Sequence, residues 1–298
     1  MMRRTGESRT RMYFKRSHIL SCLVLGTMAV ANSFVVTDVG AAEMSRDLIE
    51  AVRADDLNQV ERLIMSGVEV SGTRGDGSTA LHWAVHRENI EISDLLIDSG
   101  ADINAADDHG VTPLALACLN GSSVMVEQLL RSGADATSAR STGETVLMTA
   151  ARVGNVDVVR QLLNAGADPA ASESSRGQTA LMWAVAQRHA DVAALLLAAG
   201  ADLNARTKVW RQLENTAGNT NPIGNFRMAH GGSTAMLFAA RNGDIETVRV
   251  LLDYGANIGD VAASGTSALV VAAHSGHEAL GKFLLEQVSD PNEAEAGY

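Results

Sequence analysis

Thiols are scarce in this chain. Cys22 and Cys118 are the only two. Cys22 lies in an N-terminal stretch that reads as a leader, so no intrachain disulfide can brace the remainder of the chain. Cys118 comes after Leu116-Ala117 in a helical stretch and reads as a small buried apolar residue. The short motifs that announce chemistry are missing too: no Cys-x-x-Cys, no Gly-rich phosphate loop, no Gly-x-Ser-x-Gly turn. The chain therefore reads as non-catalytic, with no cofactor and no metal. Positive charge is in deficit, with 24 Lys and Arg against 35 Asp and Glu. With the six basic and two acidic residues of positions 1–42 set aside, 18 basic residues face 33 acidic ones. Such acidity argues against nucleic acid or an anionic membrane surface as partner. No small-molecule substrate is evident either.

Repetition is what the chain has in abundance. Two leucines, two or three variable residues and Gly-Ala-Asp recur at Gly100-Ala101-Asp102, Gly133-Ala134-Asp135, Gly166-Ala167-Asp168 and Gly200-Ala201-Asp202. A variant stands at Gly255-Ala256-Asn257 and a degenerate copy at Gly67-Val68-Glu69. A fixed period of this size means stacked modules. A second phrase runs in phase with the first. Each module opens with Thr or Ser, a small residue and an apolar one, at Thr79, Thr112, Thr145, Thr179, Thr234 and Ser267. The hydroxyl suits a helix N-cap, and Ala or Pro suits the next position. The later leucine pair buries a second helix, and the glycine after it can take the left-handed conformation that ends it.

The two phrases together resemble the ankyrin repeat, Thr-Pro-Leu-His-x-Ala followed by Leu-Leu-x-x-Gly-Ala-Asp, over roughly Met44 to Asn292. The resemblance implies an all-α solenoid of about seven helix-turn-helix modules with short projecting β-hairpin-like loops. It divides the chain into a degenerate module at 43–74, repeats at 75–206 and 232–292, a loop insertion at 207–231, and the start of a further repeat at 293–298. The histidine of the family phrase survives only as His82; Ala115, Met148, Met182, Leu237 and Val270 stand at its other places.

The ends carry their own expectations. Arg3, Arg4, Arg9, Arg11, Lys15 and Arg16 precede an apolar stretch from Ile19 to Ala31, the pattern of a secretory signal peptide. Gly40-Ala41-Ala42 is the favoured exit, with Ala29-Val30-Ala31 as the other. Export places the protein in a bacterial periplasm or outside the cell. The alternative is an inner-membrane anchor over 19–36, interrupted by Ser21, Cys22, Asn32 and Ser33. Phe283-Leu284-Leu285 is as apolar as any internal module, and no polar cap comes after it. The chain therefore reads as part of a longer array. The architecture that the resemblance implies makes the first functional reading a non-catalytic scaffold that binds another protein outside the cytoplasm, through its concave face and the 207–231 insertion. A regulatory or docking role beside an activity beyond Tyr298 is the second reading.

Function is sought where the copies differ. The insertion is rich in Asn, Gly and Thr, which marks a loop rather than another helix pair. It carries Trp210, Arg211, Phe226 and Arg227, residue types that dominate binding hot spots. It is expected to stand beside the concave face that the resemblance implies, where His86, Arg87, His109, Arg152, Arg176 and Arg241 also fall. Deleting Lys208 to Ala229 is expected to keep helicity and abolish partner capture. Other patterns read as structure. His82 and His86 have metal-ligand spacing but no third ligand, and His82 already has a place at a helix opening. His189 and His277 sit in turns. Trp83, Trp183 and Phe238 share one repeat position and read as core filler. Asp102, Asp135, Asp168 and Asp202 stand one per module on a turn, too far apart to converge on a metal. A weaker enzymatic reading needs Arg211, Arg227 and His230 to converge.

Overall fold

The computed structural model describes residues 38–215 and 225–288, which belong to one compact unit, Thr37–Tyr298. The expected leader and anchor stretch, the middle of the insertion and the expected start of a further repeat lie outside the described residues.

The described residues form seven helix pairs and one two-stranded ribbon. The pairs are α1 (Asp38–Arg53) with α2 (Leu57–Met65), α3 (Ala80–His86) with α4 (Ile90–Asp98), and α5 (Pro113–Asn120) with α6 (Ser123–Arg131). Next come α7 (Val146–Val153) with α8 (Val156–Asn164) and α9 (Ala180–Ala186) with α10 (Ala190–Ala198). The ribbon, β1 (Val209–Asn215) and β2 (Asn225–Gly231), precedes α11 (Ala235–Asn242) with α12 (Ile245–Asp253) and α13 (Ala268–His274) with α14 (Glu278–Val288). The all-α repeat reading and the count of seven modules hold. Helix α1 begins at Asp38, inside the segment read as the end of the leader, where Ala41, Ala42 and Glu43 are good helix formers.

Most of these helices have 7 to 9 residues, too short to persist alone in water. They stand because first helices pack on first helices and second helices on second helices along the stack. Leu81, Leu114, Leu147 and Leu181 fill the first row, and Ile92, Leu129, Leu162 and Leu196 the second. Burying such a side chain is worth roughly 1.5–3 kcal/mol, and a lone pair could bury only one side of it. Cys118 is fully buried among them, and burial pushes its thiol up to about 12, as befits a small apolar filler.

The helix openings obey the threonine pattern. Thr79, Thr112, Thr145, Thr179 and Ser267 accept from the backbone N–H three residues on. Thr234, directly after the ribbon, makes no such bond. At the module ends the recurring aspartates make turns. The Oδ1 atoms of Asp102, Asp135, Asp168 and Asp202 accept from the N–H two residues ahead at 2.8–3.0 Å. The glycine before each has φ between 89° and 96°, as a left-handed helix stop requires.

Polar side chains lock neighbouring modules at the inter-helix turns. Asn155 Nδ2 donates to the Gly121 carbonyl at 2.8 Å, and His277 Nε2 meets the Arg241 carbonyl at 2.8 Å. His189 Nε2 meets the Arg152 carbonyl at 3.1 Å. Both histidines therefore serve the turns, as the sequence suggests.

The insertion differs from the expected loop. Its described parts pair as an antiparallel ribbon in which Trp210 faces His230 and Leu213 faces Arg227. Asn and Gly in its middle marked a turn, while Val209 and Trp210 ahead of them are strand-favouring residues without the alternation that would have announced a strand. The helix rows continue past it, α9 against α11 and α10 against α12.

Candidate functional site

The first helices and loop tips form one face of the stack, and several recesses lie in it, among them two grooves beside the expected contact residues. The loops are held by carboxylates that bond their own backbones. Asp76 Oδ1 accepts from the Ser78 N–H at 3.0 Å, and Asp107 Oδ1 from those of His109 and Val111 at 2.9 and 2.8 Å. The fifth module's tip is one residue longer, bridging Ser172 to Thr179 rather than spanning six positions as elsewhere. Buried Glu173 fills the extra space, accepting from the N–H groups of Ser175, Arg176 and Gln178. These hydrogen bonds hold its carboxyl below the usual range against the opposing cost of burial. They also fix the backbone that carries Arg176.

The ribbon stands beside this longer tip and is pinned at its base. Lys208 N–H donates to the Arg176 carbonyl at 2.7 Å, and Thr207 N–H to the Ser233 carbonyl at 3.0 Å. Ala263 N–H, from the seventh module, donates to the Gly231 carbonyl at 3.0 Å. Arg206 bonds the carbonyls of Gly232 and Val261 and pairs with Asp260. Gly231 has φ 81°, and a Cβ there would stand 2.0 Å from the Lys208 carbonyl oxygen. Only glycine lets the two strands close at this point.

Register decides which ribbon residues act together. Residues directly opposite share a face. Trp210, His230, Gln212 and Met228 therefore lie on one side, and Arg211, Ala229, Leu213 and Arg227 on the other. The indole and imidazole stack at 5.8 Å with 18° between planes. Arg211, Arg227 and His230 consequently do not converge, which removes the geometry that the enzymatic reading required. The side chain of Phe226 lies outside the described residues.

The first groove, about 400 Å³, opens between the ribbon base and α11. Arg176, Trp210, His230, Phe238 and Arg241 surround it. Arg241 lies over the Phe238 ring at 5.7 Å. The second, about 370 Å³, lies near α1 and α3, around Glu50, Arg53, Trp83, His86 and Arg87. There Arg53 covers the Trp83 ring at 4.6 Å and pairs with Glu50 at 2.9 Å. Between the two, Arg152 lies over Trp183 at 5.3 Å.

The structure sorts the expected contact residues into groups. Trp210, Arg176 and Arg241 share the ribbon groove; His86 and Arg87 share the other. Arg211 and Arg227 occupy the far side of the ribbon, Arg152 stands mid-face, and His109 is exposed on its loop. One reading needs correction. Trp83, Trp183 and Phe238 are not wholly core: each is half-buried with an arginine over its ring, and Trp83 and Phe238 line the grooves. Arginines at the helix ends nearby were the available signal, since they can cover an aromatic face. Asn120 and Asn242 vary between modules yet serve the stack. Asn120 Nδ2 donates to the Val85 carbonyl at 3.2 Å, and Asn242 Nδ2 to the Ala186 carbonyl at 2.9 Å. His82 is likewise occupied. Its Nδ1 accepts from the Thr79 N–H at 3.2 Å, leaving Nε2 to donate to the Val111 carbonyl at 2.9 Å.

Comparisons agree with this architecture. A family model described as ankyrin repeats in three copies matches residues 48–140, 124–207 and 213–295. The human ASB11 ankyrin repeat domain is similar in structure, with a TM-score of 0.66 and 27% identity, covering 82% of this chain and 98% of that one. No curated protein matches the sequence.

Proposed function

Because this chain belongs to the ankyrin-repeat family, a fold of protein–protein interaction scaffolds, we propose that it captures a protein partner through its first-helix face and the ribbon. The observation that carries this reading is the ribbon itself. It leaves the helix rows intact, is tied to the modules on either side, and exposes Val209, Trp210 and Leu213 at 58%, 49% and 60%. Exposed apolar residues on a rigid, pinned element have no role in packing the stack and suit a partner's surface. The scaffold is non-catalytic and works outside the cytoplasm, exported by the basic and apolar segment at its N-terminus.

The test is a cross-linked pull-down from the envelope fraction with the full chain and with Lys208–Ala229 deleted. The deletion is expected to keep the helical circular dichroism and lose the captured protein. Equal capture by both would overturn the reading. Protease accessibility in intact spheroplasts tests the location, and protection in the cytosol would refute it.

A further inference from the structure

The two grooves differ in one respect that bears on the ligands they accept. The groove beside α1 contains its own carboxylate: Glu50 pairs with Arg53 at 2.9 Å and with Arg74 at 2.8 Å. Among the described residues no carboxylate lines the ribbon groove, although Arg176 and Arg241 both do. Among the described residues neither arginine has an acidic partner. Of the loop carboxylates, Glu173 is occupied by backbone N–H groups and Asp260 by Arg206. Two guanidiniums thus share a recess with an aromatic floor, Phe238, and an aromatic wall, Trp210 stacked on His230. This occurs on a chain whose net charge is −11.

We propose that the ribbon groove binds an acidic peptide segment of the partner, seating an Asp or Glu carboxylate between Arg176 and Arg241 and an apolar neighbour against Trp210 and Phe238. Guanidinium–carboxylate bonds are charge-assisted and directional, and the surrounding aromatic surface lowers the local water content that would weaken them. The chain's overall negative charge repels acidic partners that cannot reach this recess, so the groove works as a selector as well as an anchor. The backbone of Arg176 is held by Glu173 and by Lys208, so this side of the recess is formed before binding. The inference rests on the reading that the ribbon side of the stack is the capture surface.

The experiment uses the full chain and fluorescent short peptides in which Asp or Glu adjoins a Phe or Leu, each matched to its Asn or Gln isostere and to a phosphoserine version. Carboxylate peptides are expected to bind, and the amide isosteres at least tenfold more weakly. Arg176→Gln and Arg241→Gln should each lose roughly tenfold, with Arg241→Lys recovering part of it. Arg160→Gln, an exposed arginine of α8 that lines neither groove, should leave binding unchanged. Both groove arginines are exposed, and unchanged circular dichroism and unfolding midpoints exclude misfolding of the variants. Equal binding of amides, indifference to both arginine substitutions, or binding confined to phosphopeptides would each overturn the proposal. The wider reading is tested separately by the pull-down. Capture that needs the ribbon but survives Arg176→Gln with Arg241→Gln sinks this inference alone; capture without the ribbon sinks both.

Discussion

At the scale of single residues, similar side chains do different work according to their surroundings. His82 is the clearest case, because its sequence position suggested a helix opening and its geometry explains the chemistry. It is 3% exposed, and burial holds its imidazole below the ordinary value of 6.5. The folded protein thus keeps it neutral where the unfolded chain takes up a proton. The stability that depends on neutral His82 is complete above about pH 6.5 and declines as pH falls toward the lower folded value. His82→Met imitates Met148 and Met182 at the same repeat place. It should cost about 1 kcal/mol near neutrality through the lost cap bonds. It should also lose less stability than the native chain between about pH 7.5 and about pH 5. Denaturant titrations at both pH values check this, and parallel losses in the two proteins would assign the pH dependence elsewhere. Residue identity alone did not separate binding from stacking positions. Asn242 and Arg241 are adjacent and both vary between modules, yet one bonds carbonyls of the fifth module and the other lines a groove.

At the scale of elements, each module needs a left-handed residue where its first helix turns into its second. Gly121, Gly154, Gly243 and Gly276 supply it, whereas Asp55, Glu88 and Arg188 adopt it with φ of 60°, 58° and 65°. A side chain there costs roughly 1–2 kcal/mol, partly offset by the lower unfolded-state entropy of a non-glycine residue. Glu88→Gly should therefore stabilise the protein by about 0.5–1 kcal/mol, read as a raised thermal midpoint. A lowered midpoint would mean that Glu88 holds a contact of its own. The helix pairs were legible because threonine caps and leucine pairs recur with the period. The ribbon was legible only as an interruption. Its pairing depends on closure at Gly231 and on bonds to Arg176 in the fifth module and Ala263 in the seventh, contacts distant in sequence.

At the scale of the whole stack, stability is a sum of module and interface terms, since each module touches only its neighbours. Leu162 is fully buried in α8, the helix that packs on α6, α7 and α10. Leu162→Ala should cost about 2–5 kcal/mol. Amide exchange should accelerate first in α7 to α10 and only later in α1 to α3. Uniform acceleration throughout would show the unit to be a single cooperative core instead. Charge is also organised at this scale. The paired Glu50, Arg53 and Arg74 near the start contrast with Arg176 and Arg241 beside the ribbon, which have no acidic partner among the described residues.

The repeating phrases by themselves determined the helices, their caps, their order and the family, because these arise from local bonding and from periodic burial that any copy reports about all the others. Which residues share a groove was decided by tertiary structure. Strand register sends Trp210 to one side and Arg211 to the other, and stacking brings Arg176 and Arg241 to one recess from modules separated by the ribbon. Convergence of that kind is a property of distances between elements, and no spacing along the chain encodes it.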